Sequence, residues 1–381
     1  MSFHIIDSGY NSDMNSPSAV TAKTTPYGKE PRALLVDRIE EKWIAAFARV
    51  FALCNVARGE PVAILSETQS RPINVRLAEL ALLRHEARPF HLIVPTPAQR
   101  APVPVRSTGA SDALQGLEAA VGALAAASFV VDLTVEGMLH APELPAILKG
   151  GARLLMVSNE HPEALERLLP DPALEPKVKR GVKALKAAKQ MRVTSTAGSD
   201  LSVDVTGAAV AGVWGYCDRP KAVAHWPGGL CLCFPRTGAV DGTLVLAPGD
   251  ANLTFKRYIE TPVRLTIERD YVTRIDGDGL DAELMRSYFA AWGDREAYAV
   301  SHVGWGMNPK ARWEALAMYD KSDFNGTELR AVAGNFLYST GANETAGRHT
   351  LGHFDLPLRG CTVSLDGRVV VERGRLVNEL A

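Results

Sequence analysis

The segment Pro61-Val-Ala-Ile-Leu65 is an apolar run, and a helical pattern near residues 75–85 and a second apolar run, His91-Leu-Ile-Val94, follow it. Two apolar runs joined by a helix are typical of parallel strands connected by a crossover helix. The same alternation continues through a helix near residues 113–126 and reaches residue 157. The first half of the chain is therefore predicted to form a mostly parallel α/β sheet.

The pattern changes after a Lys-rich helix at residues 176–190, where short β-type runs separated by Gly, Asp and Pro begin. One further helix is predicted at residues 281–292. The fold class is therefore α/β, with an N-terminal mostly parallel α/β domain followed by a β-rich α+β domain. We place the two domains at residues 32–192 and 193–381, after a flexible N-terminal extension at residues 1–31.

Composition excludes several classes of partner. The 42 basic and 43 acidic residues give a net charge of −1, and no stripe of Lys and Arg with interleaved aromatic residues is present, which argues against nucleic acid. Five scattered cysteines are typical of a reducing cytoplasm. No signal peptide is visible, and the apolar runs are shorter than the roughly 20 residues of a membrane span. We expect a cytoplasmic protein that binds no membrane.

The segment Leu351-Gly-His-Phe-Asp-Leu-Pro-Leu358 contains a candidate pair of metal ligands. Residues two apart in a strand point to the same side, so His353 and Asp355 can converge on one ion. An imidazole and a carboxylate suit Fe(II), Mn(II) or Zn(II). A His-x-Asp pair is also common at the surface or as a hydrogen-bonded core pair, so a third ligand is needed.

The best third candidate is His302, which lies in a short apolar run that ends in a Gly-rich turn. By itself it is equally consistent with a hydrogen-bonded core histidine. Together with His353 and Asp355 it would form the facial triad of Fe(II) oxygenases, which leaves adjacent positions open for substrate and dioxygen. The order of the ligands along the chain is reversed relative to many such enzymes, so spacing alone leaves the assignment open.

Three segments resemble one known family: Thr134-Val-Glu-Gly-Met-Leu-His140, Ser301-His-Val-Gly-Trp-Gly-Met-Asn-Pro309 and Gly352-His-Phe-Asp355. They look like the corresponding stretches of the 2,5-dihydroxypyridine 5,6-dioxygenases, which cleave the ring in bacterial nicotinate and nicotine degradation. The resemblance runs from about residue 33 to the C-terminus. It implies one Fe(II) per chain, bound by His302, His353 and Asp355 of a metal-binding β-rich domain, and it implies a small aromatic substrate and O2.

The chain also resembles, more distantly, the two-metal peptidases related to thermophilic leucyl aminopeptidases. Those peptidases carry a Pro-x-Glu-Glu segment with a ligating Glu, whereas this chain reads Pro227-Gly-Gly-Leu230. They carry a second ligating Glu where His302 falls and a ligating His near residues 336–341, where this chain has none. The comparison implies that the dinuclear hydrolytic centre is lost and that a single metal site remains.

Four further residues are candidates for substrate contacts. The resemblance makes His140 the acid/base residue, since an imidazole can take a hydroxyl proton and return it, and it makes its neighbour Leu139 a substrate contact. His225 could hydrogen-bond a pyridine nitrogen or oxygen, or pack beside an aromatic ring. Ser339 could donate a hydrogen bond to substrate, although Ser before Thr-Gly is ordinary turn chemistry.

Three functions are consistent with these residues. The first is an Fe(II) dioxygenase that opens 2,5-dihydroxypyridine between C5 and C6 to give N-formylmaleamate. The alternative is a metallo-hydrolase, an aminopeptidase or amidase, of the related peptidase fold. The third is an inactive relative that binds a small aromatic acid. Relatives with this architecture usually associate, so a homo-oligomer is expected.

Overall fold

The computed structural model of the protein describes residues 38–98 and 111–381. The predicted N-terminal extension at residues 1–31 lies outside these ranges. Residues 39–381 form one compact unit. The α-helices of the described residues are α1 (Glu41–Leu53), α2 (Pro72–Arg84), α3 (Glu118–Ala126), α4 (Leu144–Lys149), α5 (Pro162–Arg167), α6 (Leu174–Ala187), α7 (Leu280–Trp292), α8 (Ala315–Met318) and α9 (Thr327–Ala331).

Most of the strands lie in the second half of the chain. In chain order they are β1 (Pro61–Glu67), β2 (Arg88–Val94), β3 (Phe129–Asp132), β4 (Arg153–Val157), β5 (Gln190–Thr194), β6 (Asp200–Asp204), β7 (Ala209–Val213), β8 (Val223–Trp226), β9 (Leu230–Phe234), β10 (Val240–Leu246), β11 (Ala251–Asn252), β12 (Arg257–Tyr258), β13 (Val263–Glu268), β14 (Tyr271–Asp276), β15 (Val300–Gly306), β16 (Phe336–Thr340), β17 (Phe354–Leu358), β18 (Thr362–Leu365), β19 (Arg368–Glu372) and β20 (Arg375–Leu376).

The first sheet is parallel and has the strand order β2-β1-β3-β4-β8. Its inner strands β1, β3 and β4 are apolar and buried on both faces, as strands covered by helices on both sides must be. In β1, Val62 and Ile64 pack in one core with α1 and α2. Ala63 and Leu65 point the opposite way and pack with α3 and α4. The predicted mostly parallel α/β sheet is therefore confirmed.

The parallel sheet takes its last strand, β8, from Val223–Trp226, after the chain has already formed β5, β6 and β7 of the β-rich region. The division predicted between residues 192 and 193 remains a prediction. The return of the chain to the parallel sheet matters for the site, because β8 carries His225.

The β-rich region contains two larger antiparallel sheets. One has eight strands in the order β14-β13-β10-β6-β5-β18-β19-β20, and the other has five in the order β17-β16-β15-β9-β7. A single core contains side chains from both, such as Val193 and Leu265 of the first sheet and Trp305 and Phe336 of the second. The predicted β-rich α+β region is thus confirmed, with α6 and α7 as its long helices.

The opposite face of the five-stranded sheet is also apolar, with Leu230, Leu232 and Leu337 in a separate cluster. This face bounds the cavity described below. In the part of the chain that the structure describes, no helix has the length and apolar character needed to cross a membrane.

Candidate metal centre and substrate cavity

A β-bulge in β15 decides where His302 points. The register between β15 and β16 shifts between Val300 and Val303, so Ser301 and His302 lie opposite the single residue Ser339. Because a bulge inserts one extra residue, Val300 and Val303 both face the core although they are three apart. His302 is thereby directed to the other face of the sheet, towards the cavity.

Asp355 and His353 come to the same face from β17 and the residue before it, on the other side of β16 from β15. Asp355 pairs with Ser339 across β16 and β17, and His353 immediately precedes β17. The Nε2 atom of His353 lies 3.3 Å from Oδ1 of Asp355, and the Nε2 atom of His302 lies 3.9 Å from the same oxygen. All three side chains are buried. The structure therefore brings together the three residues predicted as a triad.

Two donors hold the Asp355 carboxylate. Arg330 Nε donates to Oδ2 at 2.5 Å, and the Ser339 hydroxyl donates to Oδ1. Burial opposes ionisation of Asp355, but the positive charge of Arg330 outweighs it and holds the pKa of this carboxyl well below its usual range. The hydroxyl hydrogen of Ser339 is therefore engaged by Asp355, and the Ser339 oxygen can only accept a further hydrogen bond.

His140 reaches the site from the parallel sheet. Asp132, at the end of β3, accepts hydrogen bonds from the backbone N–H and hydroxyl of Thr134 and from the N–H of Met138. This arrangement folds the loop that carries Leu139 and His140 over the carboxyl ends of the parallel strands, where ligands bind in such sheets.

The three imidazoles form a cluster. The His140 ring centroid lies 5.0 Å from that of His353 and 6.0 Å from that of His302. One nitrogen from each ring lies within 4.8 Å of the others. Burial lowers the pKa of His302 well below its usual value and also lowers that of His353, although Asp355 acts in the opposite direction. His302 and His353 are therefore neutral and can offer nitrogen lone pairs to a metal.

The cluster forms the polar end of a cavity of about 250 Å³ between the parallel sheet and the five-stranded sheet. This volume lies just below the usual range of small-molecule sites, about 300–1,000 Å³. The remaining walls are mostly apolar and include Leu139, Leu144, Met156, Val213, Leu230, Leu232, Phe234 and Leu337. The cavity suits a small, flat ligand whose polar edge meets the histidines.

His225 lines the same cavity from β8. Its Nδ1 lies 2.6 Å from the carbonyl oxygen of Pro227. Because a carbonyl only accepts, Nδ1 carries the hydrogen, and Nε2 is the acceptor in the neutral ring. Burial lowers the pKa of His225 to about 4. At neutral pH this side chain can therefore accept a hydrogen bond from a ligand.

The depressed pKa of His225 predicts a pH-dependent stability. Between pH 6.5 and about 4 the unfolded chain binds a proton that the folded chain excludes, so the free energy of unfolding falls as the pH falls through this window. His225→Asn keeps a donor for Pro227 but cannot titrate. When the pH is lowered from 7 to 5, we expect the free energy of unfolding of the parent to fall by about 2 kcal/mol more than that of the variant.

Urea unfolding of both proteins at the two pH values measures this difference. Because His302 and His353 titrate in both proteins, their contributions cancel in the comparison. Parallel stability curves for the two proteins would show that His225 is accessible to protons in the folded state.

Comparison with known proteins identifies the family. The family model of the 2,5-dihydroxypyridine 5,6-dioxygenases matches residues 42–378 of this chain. The chain belongs to this family. A 2,5-dihydroxypyridine 5,6-dioxygenase of Pseudomonas putida KT2440 is 38% identical over 337 residues, which cover 87% of this chain and 95% of the relative. The resemblance predicted from three short segments is confirmed.

Two solved structures have related folds. The structure of 2,5-dihydroxypyridine dioxygenase from Pseudomonas putida KT2440 matches with a TM-score of 0.84 and 36% identity, over 89% of this chain and 98% of that chain. Wild-type AmpT from Thermus thermophilus matches with a TM-score of 0.60 and 15% identity, over 88% of this chain and 99% of that chain. The second comparison shows a shared fold alone.

The position predicted to have lost a peptidase glutamate cannot hold a side chain in this dioxygenase. Gly229 has φ +114°, and a Cβ built there would lie 2.5 Å from Cβ and 2.9 Å from the backbone nitrogen of Asn308. The next residue, Leu230, lines the cavity with an apolar side chain. A second metal ligand from this segment is therefore sterically and chemically excluded.

Sequence reasoning missed the residues that hold Arg330 in place. The buried Glu160, in the loop after β4, accepts hydrogen bonds from the backbone N–H groups of Asn325, Gly326 and Thr327. These contacts fix the start of α9, which carries Arg330. The position of Glu160 just beyond a parallel strand was the available signal, whereas Arg330 lies in a helix with no characteristic spacing to Asp355.

Proposed function

We propose that this chain converts 2,5-dihydroxypyridine and O2 into N-formylmaleamate, that it uses one Fe(II) ion, and that His302, His353 and Asp355 bind this ion. Both oxygen atoms enter the product, and the ring opens between C5 and C6. Membership of the dioxygenase family supports the reaction. The observation that carries the assignment is the convergence of two neutral imidazoles and an ionised carboxylate at the polar end of a small apolar cavity.

The donor set fits a ferrous ion. Nε2 of His302 and Nε2 of His353 lie 3.9 Å and 3.3 Å from Oδ1 of Asp355, so two neutral nitrogen donors and one carboxylate oxygen converge, a donor set that suits Fe(II). Held by two histidines and one carboxylate, a ferrous ion would supply a binding position for a substrate oxygen and the redox chemistry that activation of dioxygen requires.

His140 is proposed as the acid/base group and not as a ligand. It comes from a loop of the parallel sheet, whereas the three proposed ligands belong to the five-stranded sheet, with His302 on β15, Asp355 on β17 and His353 immediately before β17. Its position at the cavity allows it to take the proton of the substrate hydroxyl and to return it later. With Asp355 as the third ligand, a carboxylate also offsets part of the charge of a divalent ion.

The cavity walls orient the substrate. This substrate has a single hydroxyl beside the cleaved bond and cannot chelate as a catechol does, so its orientation depends on the protein. His225 can accept a hydrogen bond from the ring or its substituents, and Leu139 and Leu232 form part of the surface against the ring faces. These apolar walls also exclude water from the reacting atoms.

Anaerobic loading with Fe(II), followed by addition of 2,5-dihydroxypyridine and oxygen, tests the function. We expect stoichiometric oxygen uptake together with loss of the substrate absorbance and formation of N-formylmaleamate. A Zn(II)-loaded sample serves as the control and should consume no oxygen. Full iron occupancy without oxygen uptake would show that the proposed reaction is wrong. The homo-oligomer and the cytoplasmic location expected from the sequence remain predictions.

Arg330 is expected to control metal affinity through Asp355. Arg330→Lys keeps the positive charge but loses the Nε–H that donates to Oδ2, so the carboxylate is held less firmly. Groups that orient metal ligands contribute about 10–100-fold in affinity, and we expect a loss in this range. Competition with a chelator during Fe(II) titration measures it. Arg312→Lys, at an exposed position, is the matched control, and equal affinity in the two variants would contradict the assignment.

A further inference from the structure

His140 lies between two cavities. One is the substrate cavity, and the other is a groove of about 270 Å³ whose lining includes Ser111, Glu143 and His349. Only 9% of the His140 side chain is exposed. An acid/base group in this position needs a partner that holds its ring and balances its charge when it takes up a proton.

Glu344 is placed to be this partner. Its Oε1 lies 3.6 Å from Nδ1 of His140, and 46% of its side chain is exposed. The contact is longer than a hydrogen bond, but such contacts often shorten when substrate binds. Burial opposes ionisation of Glu344, and the contact with His140 outweighs it and lowers the pKa. A single carboxylate therefore links the buried imidazole to solvent.

The short segment that carries Glu344 is held firmly. The segment begins at Glu344. The side chain of the preceding residue, Asn343, accepts a hydrogen bond from the N–H of Ala346 at 3.1 Å and donates one to the carbonyl of Pro235 at 2.9 Å. Arg348, at the other end of the segment, donates to the carbonyl of Val300 and forms an ion pair with the buried Asp270. The position of the carboxylate is thus set by the fold.

We propose that Glu344 is a positioning residue for His140. Its carboxylate holds Nδ1–H, so that Nε2 is the nitrogen that accepts the proton when the substrate O–H bond breaks. The imidazolium formed is stabilised by the ion pair, and the same proton returns from Nε2 later in the reaction. This inference rests on the proposed function, because it requires His140 to be the acid/base group.

The test uses the full-length Fe(II)-loaded enzyme and the variants Glu344→Ala and Glu344→Asp. General acid–base catalysis contributes about 10²–10⁴-fold, of which a positioning partner supplies a part, so we expect kcat of Glu344→Ala to fall about 10–100-fold. Iron content and the anaerobic affinity for 2,5-dihydroxypyridine should not change. Glu143→Gln removes a carboxylate from the same groove and should leave kcat unchanged.

Chemical rescue separates positioning from structural support. Because Glu344 is half-exposed, formate can reach the vacated space, and it should raise kcat of Glu344→Ala in a concentration-dependent manner without affecting the parent. The double variant His140→Ala/Glu344→Ala should not respond. The inference is overturned by an unchanged kcat, or by a lowered kcat that neither formate nor Glu344→Asp restores. An inactive parent enzyme would instead overturn the proposed function.

Discussion

Replacement of His353 by alanine is expected to remove both stoichiometric iron binding and oxygen uptake. His353 supplies one of the two proposed imidazole ligands, and its Nε2 lies 3.3 Å from Oδ1 of the proposed carboxylate ligand Asp355. A metal ion contributes several kcal/mol to the reaction it supports, and each 1.36 kcal/mol is a factor of ten. We therefore expect a loss of at least about 10³-fold in turnover.

Metal analysis after gel filtration, together with oxygen-electrode assays, measures the two losses on one sample. His91→Ala, on strand β2 at the edge of the parallel sheet and away from the cavity, is the matched control and should keep both properties. The assignment of His353 as a ligand fails if the alanine variant retains one iron per chain. Far-UV circular dichroism shows whether the variant has folded.

Local spacing predicted one part of this site because the geometry of a strand is regular. His353 and Asp355 are two residues apart, and the alternation of side chains along the extended segment that leads into β17 is sufficient to place them on one face. His302 was found by residue type, yet its orientation depends on a bulge opposite Ser339. A bulge adds one residue to one strand, and no local pattern in an apolar run marks where it occurs.

Other parts of the site depend on contacts between distant segments. His225 reaches the cavity because β8 pairs with β4 of the parallel sheet, a pairing that hydrophobic periodicity does not indicate. Glu160 contacts Thr327, which lies more than 160 residues later in the chain. Glu344 contacts His140, which lies more than 200 residues earlier. The class of fold follows from hydrophobic periodicity, whereas such pairings follow from the tertiary arrangement alone.

The two sheets supply different chemistry to one cavity. The carboxyl ends of the parallel strands contribute His140 and His225, which can exchange protons or accept hydrogen bonds. The face of the five-stranded sheet that bounds the cavity contributes His302, His353 and Asp355, which suit a metal. Since neither sheet holds the whole site, any change that separates them should affect substrate orientation before it affects metal binding.

The structure is compatible with two sets of three metal ligands, and this makes His140 the most informative position. His140, His302 and His353 have nitrogen atoms within 4.8 Å of one another, while His302, His353 and Asp355 share one face of a single sheet. If the first set binds the metal, Asp355 is not a ligand and only accepts hydrogen bonds from Arg330 and Ser339. The second leaves His140 available for proton transfer, as we propose.

His140→Ala is therefore expected to keep one iron per chain and to lose turnover by about 10²–10⁴-fold, the contribution of general acid–base catalysis. The anaerobic affinity for 2,5-dihydroxypyridine should change far less than kcat, because the apolar walls and His225 still hold the ring. Metal analysis and single-turnover measurements on the same preparation separate the two effects, with His302→Ala as the variant that should lose iron. Loss of iron from His140→Ala would instead make His140 a ligand, and proton transfer would then have to be assigned to another group.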